Sequence, residues 1–266
     1  MESNSPKTPA FYPEGPYIYK GVLHWVEYTK NTVCNEAGMR HELPYYGPCG
    51  LASFKGELVV ACYDSHLIYF MNSGITIDIP YPNDMIEDDK GGLFITSSAT
   101  NTGEEDPFKV DAVASGGIYY LDKDNGIHKL LLDRPIHYAN GITYDGTYIY
   151  VSEHLKNRVL KYEISYDKND TPVLGGTQIH IPLTRNLSED ALLGPDGLCS
   201  DKRGNMYIAH FGSGKLLVYN DQRLVDTYEV DHSYITNVCM LDEGHVCITV
   251  ANGGEAGYVG RIGLKK

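Results

Sequence analysis

An all-β chain folded as a six-bladed β-propeller is predicted by three observations. Long helical periodicity is scarce. Short β-branched and aromatic runs bounded by Gly, Asp, Asn and Lys recur along the whole chain, among them GELVVACYD, GGLFITSS, GTYIYVSE, GNMYIAHF, GKLLVYN and HVCITVAN. These runs are also ordered into a unit that restarts with the same class of residue: a polar or small residue, a short apolar strand, a tight turn, a second strand and usually a third.

The units begin at Glu14, Cys49, Asn83, Asn140, Asp196 and Asn237, at separations of 35, 34, 57, 56 and 41 residues. A blade of four antiparallel strands takes about 40 to 45 residues, so six units nearly exhaust the chain. The two long intervals predict insertions, between Ser98 and Gly116 and between Asp167 and Gly176. A sandwich built from hairpins of similar length has no reason to restart each unit with one residue class. One domain over residues 11–266 is expected, preceded by a flexible tail over 1–10. After HVCITVAN the last unit has one strand left, in GYVGRIGLKK, so a strand within FYPEGPYIYK is expected to complete its blade.

A formal charge of −13 without a basic cluster argues against nucleic acid or an anionic membrane as partner; the expected partner, from the site that the leading residues form, is a small-molecule substrate. No stretch approaches the roughly 18 apolar residues of a membrane helix, and MESNSPKTPA lacks the layout of a signal peptide, which predicts a cytoplasmic protein. The six cysteines lack CxxC spacing and several sit in apolar runs, so they read as small buried hydrophobes. There is no GxSxG elbow and no GxGxxG or GxxxxGK[ST] phosphate loop. Asp88 and Asp89 read as solvated turn residues.

In a propeller the innermost strands line the axis, so the six leading residues gather in a ring at one mouth of the central channel. That ring holds two carboxylates and three carboxamides. Unpaired anions there are costly, and a divalent cation supplies the countercharge. Oxygen donors without His or thiolate favour calcium, with magnesium, manganese or zinc as alternatives. Glu14, Asn140 and Asp196 are the expected metal ligands, with Asn83 a fourth ligand or a substrate contact. A cation with an incomplete protein shell suits hydrolysis, with Asp196 also the catalytic carboxylate. Glu153 and His210 end second strands, which return to the same mouth, and His137 lies just ahead of Asn140, so all three are expected as substrate contacts. The segment 98–115 is long enough for a lid or an ordinary acidic loop.

The segments PEGPYIYKGVLHWVEY, PNDMIEDDKGGLF, ANGITYDGTYIYVSE and GPDGLCSDKRGNMYIA resemble, in order, the blade starts of the senescence marker protein (regucalcin)/gluconolactonase/luciferin-regenerating-enzyme-like family of calcium-binding six-bladed propellers. The resemblance runs from Glu14 to about Gly263. It implies a metal-dependent lactonase, puts Glu14, Asn140 and Asp196 on metal-ligand positions and Asn83 on a substrate-binding one. Two departures stand out. Tyr81 occupies the place where sugar lactonases often carry an arginine, and Ala139 replaces a usual proline. Losing the arginine removes a donor for sugar hydroxyls and points to a more apolar or aromatic lactone or ester. Two further uses of the frame remain open: a different reaction, such as phosphotriester hydrolysis or a natural-product step, and a non-catalytic calcium-binding propeller.

Overall fold

Five four-stranded antiparallel sheets and one of five strands make the chain a six-bladed propeller in the computed structural model, which describes residues 7–99, 113–183 and 192–265. Blade 1 runs outward from the axis through Pro13–Tyr19, Val22–Glu27, Thr32–Asn35 and Arg40–Glu42, and blade 2 through Pro48–Phe54, Glu57–Cys62, Leu67–Phe70 and Thr76–Asp78. Blade 3 is Pro82–Glu87, Leu93–Ser97, Gly117–Leu121 and Ile127–Lys129. In blade 4, Ala139–Tyr144 and Tyr148–Glu153 are followed by the long strand Arg158–Tyr166, whose outer edge pairs with both Pro172–Leu174 and Gln178–Pro182. Blade 5 is Gly194–Ser200, Asn205–Phe211, Lys215–Asn220 and Arg223–Glu229.

Blade 6 takes three strands from the C-terminal end, Tyr234–Asp242, His245–Asn252 and Glu255–Gly263, and its fourth from the N-terminal end, Thr8–Phe11. The ring is therefore closed by an N-terminal strand, but one that lies ahead of the expected segment. Residues 8–10, assigned to a tail by sequence, pair with Gly257, Tyr258 and Val259. The polar composition of MESNSPKTPA hid a strand whose only deeply buried side chain is Ala10.

The hydrophobic core is divided into six clusters, one at each blade interface. Phe54 and Ile68 of blade 2 meet Ile95 and Leu121 of blade 3 in one of them, and Trp25 of blade 1 meets Cys247 and Val259 of blade 6 in another. Both faces of each blade are covered, which is why second strands carry apolar runs such as LVVAC and LFI. Full burial of an Ile or Leu contributes about 1.5–3 kcal/mol, so the interfaces hold the ring together. The cysteines are free thiols, with Cys34, Cys49, Cys62 and Cys247 buried and Cys199 and Cys239 half-buried. Asp88 departs from its expected solvated role: it is buried and accepts hydrogen bonds from Tyr120 (2.7 Å) and Tyr166 (3.0 Å).

Of the two expected insertions, Asp167–Gly176 is largely the turn and strand that extend blade 4. Most of the other, over 100–112, lies outside the described residues, and with it the expected lid. No helix among the described residues is long and apolar enough to cross a membrane.

Candidate metal centre and active site

Every inner strand carries an irregularity near its start, where one extra residue interrupts pairing with the second strand. Such bulges bend a strand and re-aim side chains. The residues they turn toward the axis are Glu14, Cys49, Asn83, Asn140, Asp196 and, in blade 6, Thr236. Five of the six ring members match the sequence reading. The sixth differs, because the bulge falls between Ile235 and Asn237 and puts Thr236 in register with the others.

Hydroxyl and thiol groups fix this ring from neighbouring strands. Thr96 donates to the carbonyl of Asn140 (2.6 Å), Ser152 to that of Asp196 (2.7 Å) and Thr236 to that of Pro13 (2.7 Å), each across a blade interface. The Cys49 thiol reaches the carbonyls of Pro82 and Asn83, both at 3.2 Å. The Asn83 amide donates to Ser98 Oγ (3.3 Å), and the Asn140 amide to the Asp196 carboxylate.

Glu14, Cys49, Asn83, Asn140 and Asp196 line one cavity of about 400 Å³ at the mouth of the channel. Burial, and then the charges of Asp196 and Asp84, push the Glu14 carboxyl well above the usual range. Burial likewise raises Asp196, with Asp84 adding to it and a hydrogen bond from Asn140 opposing it. Among the described residues no Lys, Arg or His forms an ion pair with either carboxylate. Two carboxylates brought together with no countercharge and two amide oxygens beside them fit a hard divalent cation. Among the described residues no three His, Cys, Asp or Glu side chains form a metal-binding group, so such an ion would need the carboxamides.

Aromatic side chains surround the mouth. Two residues before each ring member stand Tyr12, Gly47, Tyr81, Tyr138, Gly194 and Tyr234, and the residues paired with or bonded to them at the end of the second strand include Tyr28, Tyr63, His154 and Phe211. Rings pack in sequence around it: Tyr12 on Tyr28 (5.7 Å between centroids), Tyr63 on Tyr81 (5.2 Å) and Tyr138 (6.4 Å), His154 on Tyr138 (5.7 Å) and Phe211 (5.8 Å), and Phe211 on Tyr234 (4.8 Å). Tyr12, Tyr81 and Tyr138 hold φ of 47°, 41° and 59°, a left-handed conformation costly for a bulky side chain and typical of over-determined functional positions. The sequence signal for this collar was the tyrosine repeated two places before Glu14, Asn83 and Asn140.

Of the residues expected as substrate contacts, Asn83 lines the cavity, whereas Glu153, His137, His210 and Tyr81 do not. Glu153 is fully buried, accepts hydrogen bonds from Arg134 and Arg158, and also binds the His137 backbone N–H (3.1 Å) and ring (3.2 Å). Burial would raise its carboxyl, but Arg158 and Arg134 outweigh that and hold it at about 2. His210 bridges Asn157 Oδ1 and Ser213 Oγ, both at 2.8 Å, and burial lowers it to about 4. Tyr81 packs against the His66 ring (4.3 Å) in the collar but does not line the cavity itself. Asp84, missed by sequence reasoning, lies one layer deeper in the channel.

The SMP-30/Gluconolactonase/LRE-like region matches residues 12–252, which spans all six inner strands. The chain belongs to the SMP-30/gluconolactonase/LRE-like family. Among curated relatives, lactonase drp35 of Staphylococcus haemolyticus is 28% identical over 183 residues, 65% of this chain, and that of Staphylococcus epidermidis is 29% identical over 168 residues, 62% of this chain. The chain aligns with about half the length of each, 49% and 43% respectively. Solved structures of this fold include a calcium-binding regucalcin from Agrobacterium tumefaciens, with a TM-score of 0.74 at 21% identity over 97% of this chain and 91% of that one. A gluconolactonase from Xanthomonas campestris gives 0.69 at 18% identity over 95% and 87%. At these identities the structural likeness carries the propeller fold alone. Family membership rests on the sequence match.

Proposed function

We propose that this member of the family is a divalent-cation-dependent hydrolase that opens a lactone with an apolar or aromatic body. The observation that carries this is the convergence of Glu14 and Asp196, buried together without a described basic partner, with Asn83 and Asn140 in one aromatic-walled cavity. Glu14, Asn140 and Asp196 would hold the ion, most simply calcium, with Asn83 a fourth ligand or a hydrogen-bond donor to the lactone carbonyl. When bound, the cation supplies Lewis acidity toward a carbonyl and acidifies water.

Asp196, oriented by the Asn140 amide, positions the attacking water and takes up its proton, then returns a proton to the ring oxygen as the C–O bond breaks. The product is an open hydroxy acid. The tyrosine collar excludes water from the reacting carbonyl and offers ring faces to a flat apolar substrate. Tyr81, where an arginine would reach sugar hydroxyls, supports that preference. Free cysteines without a disulfide among the described residues support a reducing, cytoplasmic setting.

The test is proton release from benzo-fused, aliphatic and sugar lactones by metal-stripped protein, before and after adding calcium, manganese or zinc. Turnover of the benzo-fused lactone restored by one cation and absent in Asp196→Asn is expected. Undiminished turnover in Asp196→Asn, or turnover indifferent to stripping, would overturn the proposal.

A further inference from the structure

The residue following each ring member forms a second layer on the axis: Gly15, Gly50, Asp84, Gly141, Gly197 and, after Thr236, Asn237. Four are glycine, and the structure shows why. A Cβ on Gly50 would stand 2.5 Å from the Asn83 carbonyl oxygen and 3.3 Å from Asp84 Cα, and one on Gly197 would stand 2.0 Å from Asn237 Oδ1. The two side chains present come from the third and sixth blades, on opposite sides of the ring: Asp84, whose carboxyl burial pushes up to about 6, and Asn237, whose amide interacts with that carboxyl and opposes the rise.

Asp84 is held rigidly. Its carboxylate accepts the Met85 N–H (2.9 Å) and, from the next blade, the Ile142 N–H (3.4 Å), two residues beyond Asn140. It is 8% exposed, and no basic side chain among the described residues pairs with it. Its charge acts on both Glu14 and Asp196, so it lies within electrostatic reach of the ion-binding carboxylates.

We infer that Asp84 is a third, non-ligating charge of the centre, held by Asn237 beneath the ring to tighten divalent-cation binding. This rests on the metal reading above. Glu14 and Asp196 alone neutralise a divalent ion, so a third fixed anion leaves the loaded site negative and raises its affinity, while its backbone N–H partners and Asn237 keep it from swinging up to ligate. A side chain at Gly50 or Gly197 would press on Asn83–Asp84 or on Asn237, while at Gly15 and Gly141 it would meet the backbone of the next blade, 2.9 Å from the Cys49 carbonyl oxygen and 2.5 Å from that of Asp196. Outer-shell partners of this kind typically tune metal affinity roughly 10–100-fold.

The experiment is calorimetric titration of calcium chloride into metal-stripped full-length protein at pH 8. Wild type, Asp84→Asn and the swap Asp84→Asn/Asn237→Asp are compared, each checked for native circular dichroism. Asp84→Asn should bind calcium about tenfold or more weakly, and the swap, which moves the charge across the axis and reverses the hydrogen bond, should recover most of that loss. Wild-type affinity in Asp84→Asn, or a folded swap as weak as the single variant, overturns the inference. If Asp84→Asn does not fold, Asn237→Asp carries the test, since an added charge in this layer should tighten binding several-fold and unchanged or weaker binding refutes the idea. A wild-type chain that binds no divalent cation would instead defeat the proposed function.

Discussion

Replacing Glu153 by Gln is expected to cost roughly 3 kcal/mol of stability at neutral pH while leaving the cavity intact. The carboxylate is fully buried and faces two guanidinium groups and the His137 backbone. Gln keeps its size and one acceptor but gives up the charge. The magnitude follows from linkage: a carboxyl held at about 2 against an ordinary 4.5 is displaced by about 2.5 pH units, each worth about 1.4 kcal/mol. The folded value is the depressed one, so the stabilisation is fully present above pH 4.5 and is lost as pH falls through 4.5 toward 2. Urea unfolding of wild type and variant should give a gap of roughly 3 kcal/mol at pH 7 that narrows to about half by pH 3, with a melting temperature lower by roughly 5–10 °C at pH 7. A gap under about 1 kcal/mol at pH 7, or one constant down to pH 3, would refute the ion cluster as the source of stability. Metal binding by the folded variant should match wild type, because Glu153 does not line the cavity.

Three other outcomes are expected. His210, lowered to about 4 by burial, binds fewer protons folded than unfolded between pH 4 and its ordinary 6.5, so its share of stability grows as pH rises through that window; His210→Gln should flatten the slope, and an unchanged slope in urea titrations would count against a buried neutral imidazole. Gly197→Ala brings a Cβ within 2.0 Å of Asn237 Oδ1 and 2.7 Å of its Cα, a contact the amide cannot escape by rotation alone, so a loss of about 1–3 kcal/mol or more is expected in thermal melts. Deleting residues 1–11 uncovers the edge of Glu255–Gly263, and the truncated chain should melt lower and aggregate; light scattering and a melting curve equal to wild type would show that ring closure by Thr8–Phe11 is dispensable.

The propeller was legible because its repeat is a backbone device written in residue types. Four of the six bulges carry a glycine next to the axis, after Glu14, Cys49, Asn140 and Asp196. Blade 3 and blade 6 break that mark with Asn83-Asp84 and Thr236-Asn237. There the sequence offers two polar residues in a row, and only the register decides which faces the ring and which lies below it. Asn237 was therefore read one layer too high and Asp84 was not read at all. Thr8–Phe11 escaped for a different reason: an edge strand that buries a single alanine leaves no apolar alternation to detect.

The misplaced second-strand residues follow from the same one-residue sensitivity. Glu153 pairs with Ala139 and His210 with Pro195, the residues just before the ring members, and side chains at that level face the blade interface. One position further on, Tyr28, Tyr63 and Phe211 turn into the cavity, at the level of Tyr12, Gly47 and Gly194. Because strand side chains alternate faces, a shift of a single residue exchanges a charge buried in an ion cluster for an aromatic wall. Where the residue two before the ring is glycine, in blades 2 and 5, the aromatic comes from the second strand as Tyr63 or Phe211, while in blades 3 and 4 a tyrosine stands before the ring and Ser98 or His154 follows the second strand. The collar is thus filled from either strand, and in blade 1 from both, as Tyr12 and Tyr28, so the aromatic surface around the cavity does not depend on which strand supplies the ring.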